Sequence, residues 1–417
     1  MPTKKAWVLA VDMGYGHQRA AHALLLLAKG GKAISANSYP GIPATDRKIW
    51  DTARSFYETI SRFKKVPVVG DLVFALFDKF QEIQEFYPET HGIEFPTMQL
   101  KQVYGLMKKR DWGKHLIEKL NKEPSPLVTT FSTVAFMAEH WGYQGDIWLV
   151  ITDTDVARAW APLRPNMTRI RYCASTEVAA QRLERYGVPH HHIFQTGFPL
   201  PEELTLNAKE DLKRRVASLD PSLRYRKLYQ ELVKSYLGRV SFKTETAPLS
   251  LTFAVGGAGA QKDLASSIVK SLEHDMRDGR VQLNLVAGTR KETAAYFKEL
   301  SPLANVIFAK TMEEYFHEFH KTLRKTDILW TKPSELVFYA ALGIPLILAS
   351  PIGSQEVRNR EWVLKVGAGI DQLDPKFTHQ WLFDFWENGN FAEAAMQGFV
   401  EMERGGAENI TKLVLSP

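Results

Sequence analysis

Twice along this chain an apolar run breaks into glycines, and the glycines lead into a helix. The first occurrence is residues 7–27, WVLAVDMGYGHQRAAHALLLL. Trp7 to Val11 has the character of a buried strand, Gly14-Tyr15-Gly16-His17 reads as a tight turn, and Arg19 to Leu27 is rich in the helix formers Ala and Leu. The second is residues 249–272, with a strand to Val255, the turn Gly256-Gly257-Ala258-Gly259-Ala260 and a helix from Gln261. Glycine permits positive φ and lets a ligand approach the backbone closely. N–H groups at the start of a helix have no partner inside the helix and favour an anion. A histidine in such a turn, as His17 is, can act on a proton beside that anion. An ordinary β–α turn with a surface histidine uses the same residues. The recurrence in both halves therefore says more than either copy alone. The second turn has no basic residue before Lys262, so it lacks a P-loop ending, and it is not the GxGxxG of a dinucleotide fold.

Around these two units, strands and helices alternate. In the first half the expected strands are 32–38, 126–131, 146–152, 170–173 and 193–196. A helix at 177–186 and helical periodicity over 97–121 fall between them, and Ser132 is placed to cap the helix after the second of these strands. In the second half they are 281–287, 306–309, 328–330 and 345–348, with Gly343 where a helix C-cap belongs. Such alternation means parallel sheets covered on both faces, with the ligand crevice off the carboxyl ends of the strands. Gly14 to His17 and Asp153 to Asp155 both follow strand ends and can share one crevice. Gln355, Glu356 and Asn359 follow another and suit sugar hydroxyls.

At 417 residues the chain exceeds one compact core and calls for two domains. Its single cysteine, Cys173, excludes an intrachain disulfide and fits a reducing compartment. The apolar run at 7–11 is too short for a signal-peptide core, and no run approaches the length of a spanning helix. The net charge of +6 admits nucleic acid, an anionic membrane face or phosphorylated substrates without choosing among them. Residues 46–80 bear on that choice. Ile49, Ala53, Phe56, Tyr57, Ile60 and Phe63 form one face of an amphipathic helix, and Arg47, Lys48, Arg54, Arg62, Lys64 and Lys65 lie opposite. Such a helix, followed by VPVVGDLVFALF, either lies in an anionic bilayer surface or packs on the protein's own core. His190-His191-His192 reads as a solvated loop, because adjacent residues cannot all aim at one ion, and no metal-ligand spacing occurs elsewhere.

The motifs, taken in order, resemble the GT-B glycosyltransferases of the group containing the MurG enzyme, monogalactosyldiacylglycerol synthase and the processive diacylglycerol glucosyltransferases. Gly14-Tyr15-Gly16-His17 with Ala20-Ala21 is similar to that group's glycine–histidine turn. Thr152-Asp153 with Trp160, Arg171 to Ser175, and the run from Gly187-Val188-Pro189 to Gly197-Phe198-Pro199 follow in family order. Gly256-Gly257-Ala258-Gly259 resembles the turn that holds the donor diphosphate, and Phe308 to Met312 the loop that meets uracil. Gln355, Glu356 and Asn359 resemble the donor-sugar and phosphate contacts, and residues 46–80 the part that meets membrane and lipid acceptor. One departure stands out. After Thr331-Lys332 the family carries glycines and then an acid that grips the donor ribose. Here Pro333-Ser334-Glu335 follows, and Phe338 occupies the acid's position. Either Glu335 replaces the acid from one turn earlier, with Lys332 and Ser334 beside it, or the grip is altered.

The resemblance implies two Rossmann-like doubly wound parallel-sheet domains facing across a cleft. These are an acceptor domain over 1–204, a charged helical linker or insertion over 205–247, a donor domain over 248–375, and helices over 376–417 packing back on the first domain. It implies inverting transfer of a hexose from a nucleotide diphosphate sugar, with UDP expected, to a lipid hydroxyl at the cytoplasmic face of an anionic membrane. His17 would be the base, with Asp153 beside it. Phosphate-turn amides would replace a metal, so no metal, cofactor or nucleic-acid partner is expected. A non-hydrolysing nucleotide-sugar epimerase and a catalytically silent binding protein of the same architecture are the alternatives.

Overall fold

The computed structural model describes residues 5–63, 83–87, 95–240, 247–254 and 262–416. The turn Gly256, Gly257, Ala258, Gly259 and residues 64–80 of the apolar-basic segment lie outside the described residues. The chain forms two compact units. One comprises Met1–Pro201, Ile352–Arg358 and Glu403–Pro417, and the other Glu202–Pro351 and Asn359–Met402.

The first unit is built on a six-stranded sheet. Its strands are β1 (Trp7–Ala10), β2 (Ile34–Ser35), β3 (Leu127–Thr129), β4 (Ile147–Val150), β5 (Ile170–Ala174) and β6 (Ile193–Gln195). All neighbours are parallel, in the order β2-β1-β3-β4-β5-β6. Side chains alternate across a strand, so a sheet covered on both faces needs apolar residues at every position. Leu9, Leu127, Leu149 and Tyr172 enter one core. Val8, Val128, Trp148 and Cys173 enter the other. The second core is completed by Ile410 and Val414 of the terminal helix Gly406–Leu415.

The second unit repeats the plan with β7 (Leu249–Ala254), β8 (Val281–Gly288), β9 (Asn305–Phe308), β10 (Ile328–Thr331), β11 (Leu346–Leu348) and β12 (Gly369–Asp371). They lie parallel in the order β12-β11-β10-β7-β8-β9, the doubly wound arrangement. β12 carries no sequence signal of its own. It is three half-buried residues beside β11, with Gly369 close against the Leu346 carbonyl.

Four sequence expectations are revised. The helices of the supposed linker, Ala208–Ser218 among them, are integral to the second unit. Arg215 there is 1% exposed and donates to the carbonyls of Leu323, Thr326 and Leu342 at 3.0, 2.8 and 2.8 Å. Burial lowers its pKa to about 10. Charge at this position reads as solvent-facing, but the guanidinium is spent on carbonyls at helix ends. Of the tail, helices Thr378–Glu387 and Asn390–Glu401 belong to the second unit, and only Gly406–Leu415 to the first. Ser132 is the first residue of its helix and not its cap. The helical stretch 97–121 is two helices, Met98–Arg110 and Lys114–Leu120, broken at Asp111, whose φ is 51°.

The terminal helix meets the first unit at close range. A Cβ on Gly406 would sit 2.2 Å from the Phe198 carbonyl oxygen, and Asn409 Nδ2 donates to Thr196 O at 3.0 Å. Gly406→Ala should therefore destabilise the protein by about 1–3 kcal/mol, the range for overpacking. Urea denaturation measures this, and an unchanged midpoint would show that the helix is not locked here.

Candidate functional site

The order of each sheet contains one point where neighbouring strands send their chains in opposite directions. In the first unit this lies between β1 and β3, in the second between β7 and β10. Ligands of doubly wound sheets bind off the carboxyl ends at these points. Residues 12–17 leave β1, and Thr130-Phe131 leave β3. Lys332 to Glu335 come directly after β10, and residues 256–259 follow β7 in sequence.

At the first switch point helix Tyr15–Ala23 starts earlier than the sequence indicated. Gly14 is its N-cap with φ 97°, so Tyr15, Gly16 and His17 form the opening turn of the helix rather than a loop before it. A Cβ on Gly14 would meet nothing within 4 Å. The backbone angle, not crowding, is what calls for glycine. The His17 ring packs edge-on against Phe131, centroids 4.9 Å apart, and lies 6.3 Å from Trp160. Its carbonyl accepts from Thr130 Oγ1 at 3.0 Å, which ties the helix start to the end of β3. Asp12 is held by Gln18 Nε2 at 2.7 Å, and its backbone N–H donates to Asn37 at 3.0 Å.

Asp153 follows β4. It is half-buried, and its carbonyl accepts from Ser175 Oγ. Two residues on, Asp155 is buried and paired with Arg182 of helix Glu177–Arg185. Nε and Nη2 donate to the two carboxylate oxygens at 3.0 and 2.8 Å. Desolvation raises the Asp155 pKa, and Arg182 opposes that rise. Sequence reading missed this pair, because an acid in a loop and an arginine on a helix carry no mark of mutual burial.

The apolar-basic helix is present as Ala44–Phe63. In its first turns it packs on its own unit. Trp50 is 3% exposed and contacts Trp112 at 4.8 Å, and Asp46 accepts from Gly113 N–H at 3.1 Å. Arg47 and Lys48 are exposed. Among the described residues no helix is long and apolar enough to cross a membrane, and no three acidic, Cys or His side chains could hold a metal. His190 pairs with Glu184 on an exposed turn.

On the second unit, Phe308 ends β9 and Met312 opens helix Met312–Lys325, where Thr311 and Glu314 form a capping box. Lys332 and Ser334 are half-buried, and Glu335 is buried at 8% exposure. Phe338 is buried against Trp362, ring centroids 5.5 Å apart, so no acid stands at the family's ribose position. Asn359 is fully buried and donates to the Pro333 carbonyl at 3.1 Å. That places it beneath the 332–335 loop, as a support, where the sequence put it among the direct donor contacts. Gln355 and Glu356, assigned to the first unit, are half-buried, and Glu356 accepts from Ile352 N–H at 2.8 Å.

With this geometry in hand, comparison with known proteins is informative. The processive diacylglycerol β-glucosyltransferase of Bacillus cytotoxicus is 24% identical over 271 residues, 62% of this chain and 60% of that protein. The Staphylococcus carnosus protein of the same name is 25% identical over 272 residues, 64% and 59% of the two chains. This chain resembles the processive diacylglycerol β-glucosyltransferases. It spans about 60% of the length of these relatives. Its two six-stranded sheets are parallel α/β units. A domain-family model described as a domain of unknown function (DUF6938) matches residues 225–324. Among solved structures, Acinetobacter baumannii MurG aligns over 99% of both chains at TM-score 0.48 and 11% identity. UDP-GlcNAc 2-epimerase of Neisseria meningitidis aligns over 83% of this chain and 88% of its own at 0.46 and 12%.

The Asp155–Arg182 pair gives this region a clear energetic signature. Asp155→Ala leaves a buried guanidinium without its counter-charge and should cost about 3 kcal/mol. Chemical denaturation checks it, and a loss below about 0.5 kcal/mol, the range of an ordinary surface substitution, would contradict the assignment.

Proposed function

We propose that the protein is an inverting glycosyltransferase that moves a hexose from a nucleotide diphosphate sugar, with UDP the expected nucleotide, to the hydroxyl of a lipid such as diacylglycerol. It would work as a peripheral protein at the cytoplasmic face of an anionic membrane. Similarity to the diacylglycerol glucosyltransferases supports the reaction class. The observation that carries the reading is that His17 stands in the opening helical turn at the first switch point, beside the ends of β1 and β3.

In this reaction the acceptor oxygen bonds to the anomeric carbon as that carbon's bond to the diphosphate oxygen breaks. The acceptor's proton passes to His17, which Phe131 and Trp160 hold on two sides. Asp153, from the end of β4 on the far side of β3, is the second candidate for that proton, or the group that orients the imidazole. The leaving diphosphate is assigned to the amides of Gly256, Gly257, Ala258 and Gly259, where a helix start favours negative charge. Phe308 and Met312 are assigned to the base, Lys332, Ser334 and Glu335 to the ribose side, and Gln355 and Glu356 to the sugar. Residues 46–80 are assigned to the lipid side.

The burial of Phe338 on Trp362 at the expected acid's position favours one second reading, a binding protein that keeps the architecture without turnover. A single assay separates the two. Protein, radiolabelled UDP-glucose and vesicles of phosphatidylglycerol with diacylglycerol should yield lipid-extractable label and free UDP. Vesicle binding with no labelled lipid from any of a panel of nucleotide sugars favours the silent reading. His17→Ala should lower turnover by roughly 100- to 10,000-fold, the usual share of a general base, while calorimetry finds UDP affinity unchanged. Full turnover in that variant removes His17 as the base.

A further inference from the structure

The chain that leaves the apolar-basic segment is gripped by three arginines of the first unit. Ile83 is 2% exposed and anchors the start of the stretch. Arg182 Nη2 donates to Gln84 O at 2.7 Å, and Arg185 Nη1 to Phe86 O at 3.1 Å. The Phe86 ring has both guanidinium carbons near it, 4.1 and 4.2 Å from its centroid. The third arginine comes from elsewhere in sequence. Arg358 donates to both carboxylate oxygens of Glu85 at 3.0 and 2.8 Å, and to Ile83 O at 2.9 Å. It sits on helix Ser354–Val366, two residues after Glu356.

The two parts of this clasp differ in kind. Arg182 is fixed from behind by buried Asp155, so Gln84 and Phe86 rest on a rigid support. The Glu85 side chain is 71% exposed, and an ion pair so exposed contributes little to folding stability. Its bidentate form instead fixes direction, since two parallel N–H···O bonds allow one relative orientation. What it orients is the 352–358 segment, which carries Gln355 and Glu356.

We propose that Arg358 is a positioning residue: its fork on Glu85 sets Gln355 and Glu356 for the donor sugar and couples donor binding to the chain that ends the apolar-basic segment. This rests on the glycosyltransferase reading, in which Gln355 and Glu356 meet the sugar and residues 46–80 the lipid. Glu85 and Arg358 touch neither substrate in this scheme. Their effect passes through the segment they hold.

Calorimetric titration of the full chain with UDP and with UDP-glucose tests it. Glu85→Gln and Arg358→Gln should each weaken UDP-glucose binding by roughly 3- to 5-fold, as a partly exposed charge-assisted pair allows, and leave UDP binding unchanged. The double variant should be no weaker than either single, the signature of one shared interaction. The exchanged pair Glu85→Arg with Arg358→Glu should recover part of the loss, which a merely structural role would not predict. Should Arg358→Gln unfold, Glu85→Gln on its exposed carboxylate still decides. Unchanged UDP-glucose affinity in the singles, or additive losses in the double, overturns the coupling while the glycosyltransferase reading stands. Wild-type protein that binds neither UDP nor UDP-glucose overturns both.

Discussion

A parallel sheet buried on both faces leaves a chain only one place to do chemistry. Its strands are apolar along their whole length, as Val8-Leu9 and Trp148-Leu149 are, and its helices are committed to covering it. Polar groups are excluded from the layers by the cost of desolvation, and they collect at the carboxyl edge where strands end. Three of the groups proposed for the chemistry lie in that position. His17 follows β1, Asp153 follows β4, and Lys332 follows β10. The switch point then selects among the strand ends, because only there do two connections diverge and leave room between them. Glycine at position 14 fits this account. It provides an angle that lets the helix begin at once, so that His17 stands in the first turn and not on a loop.

Buried arginines brace both units. Arg182 holds Asp155, and Arg215 satisfies three carbonyls in the second unit. A guanidinium has five donors in a planar fork, enough to close several chain ends at once. Lysine, with a single point of charge, cannot do this. That distinction explains why the charged stretch 205–247 belongs to a folded unit. Its lysines, Lys209 and Lys213 among them, remain at the surface or half-buried, while Arg215 and Arg226 are 1% exposed.

Legibility of the sequence follows the same physics. Among the described residues eleven of the twelve strands stood out, most of them as the continuous apolar runs that a doubly covered strand needs. β12 did not, since it is an edge strand of three half-buried residues. The helix from Tyr15 began earlier than read because Gly16 suggested a turn, yet glycine is tolerated in a first turn whose cap already sets the direction. Residue roles were harder. Asn359 looked like a sugar contact from its amide and its place in the family motif, and its burial beneath Pro333 is a three-dimensional fact. Asp155 and Arg182 are 27 residues apart, and nothing in either neighbourhood marks them as partners. Arg358 was in plain view inside a recognised motif. What hid it was its partner, Glu85, 273 positions away.

The altered ribose site has a physical reading of its own. Glu335 opens the 3-10 helix directly after the Ser334 cap, Phe338 follows three residues on, and both are buried. The opening residue of a helix is also where the dipole best tolerates a carboxylate. Moving the acid from the later position to the earlier one keeps a negative group near the mouth of the second switch point. It frees the later position for an aromatic that packs on Trp362. The loop that carries Glu335 is in turn braced from below by the Asn359 amide on the Pro333 carbonyl. On the proposed glycosyltransferase reading, Glu335 on this braced loop takes the part of the missing acid.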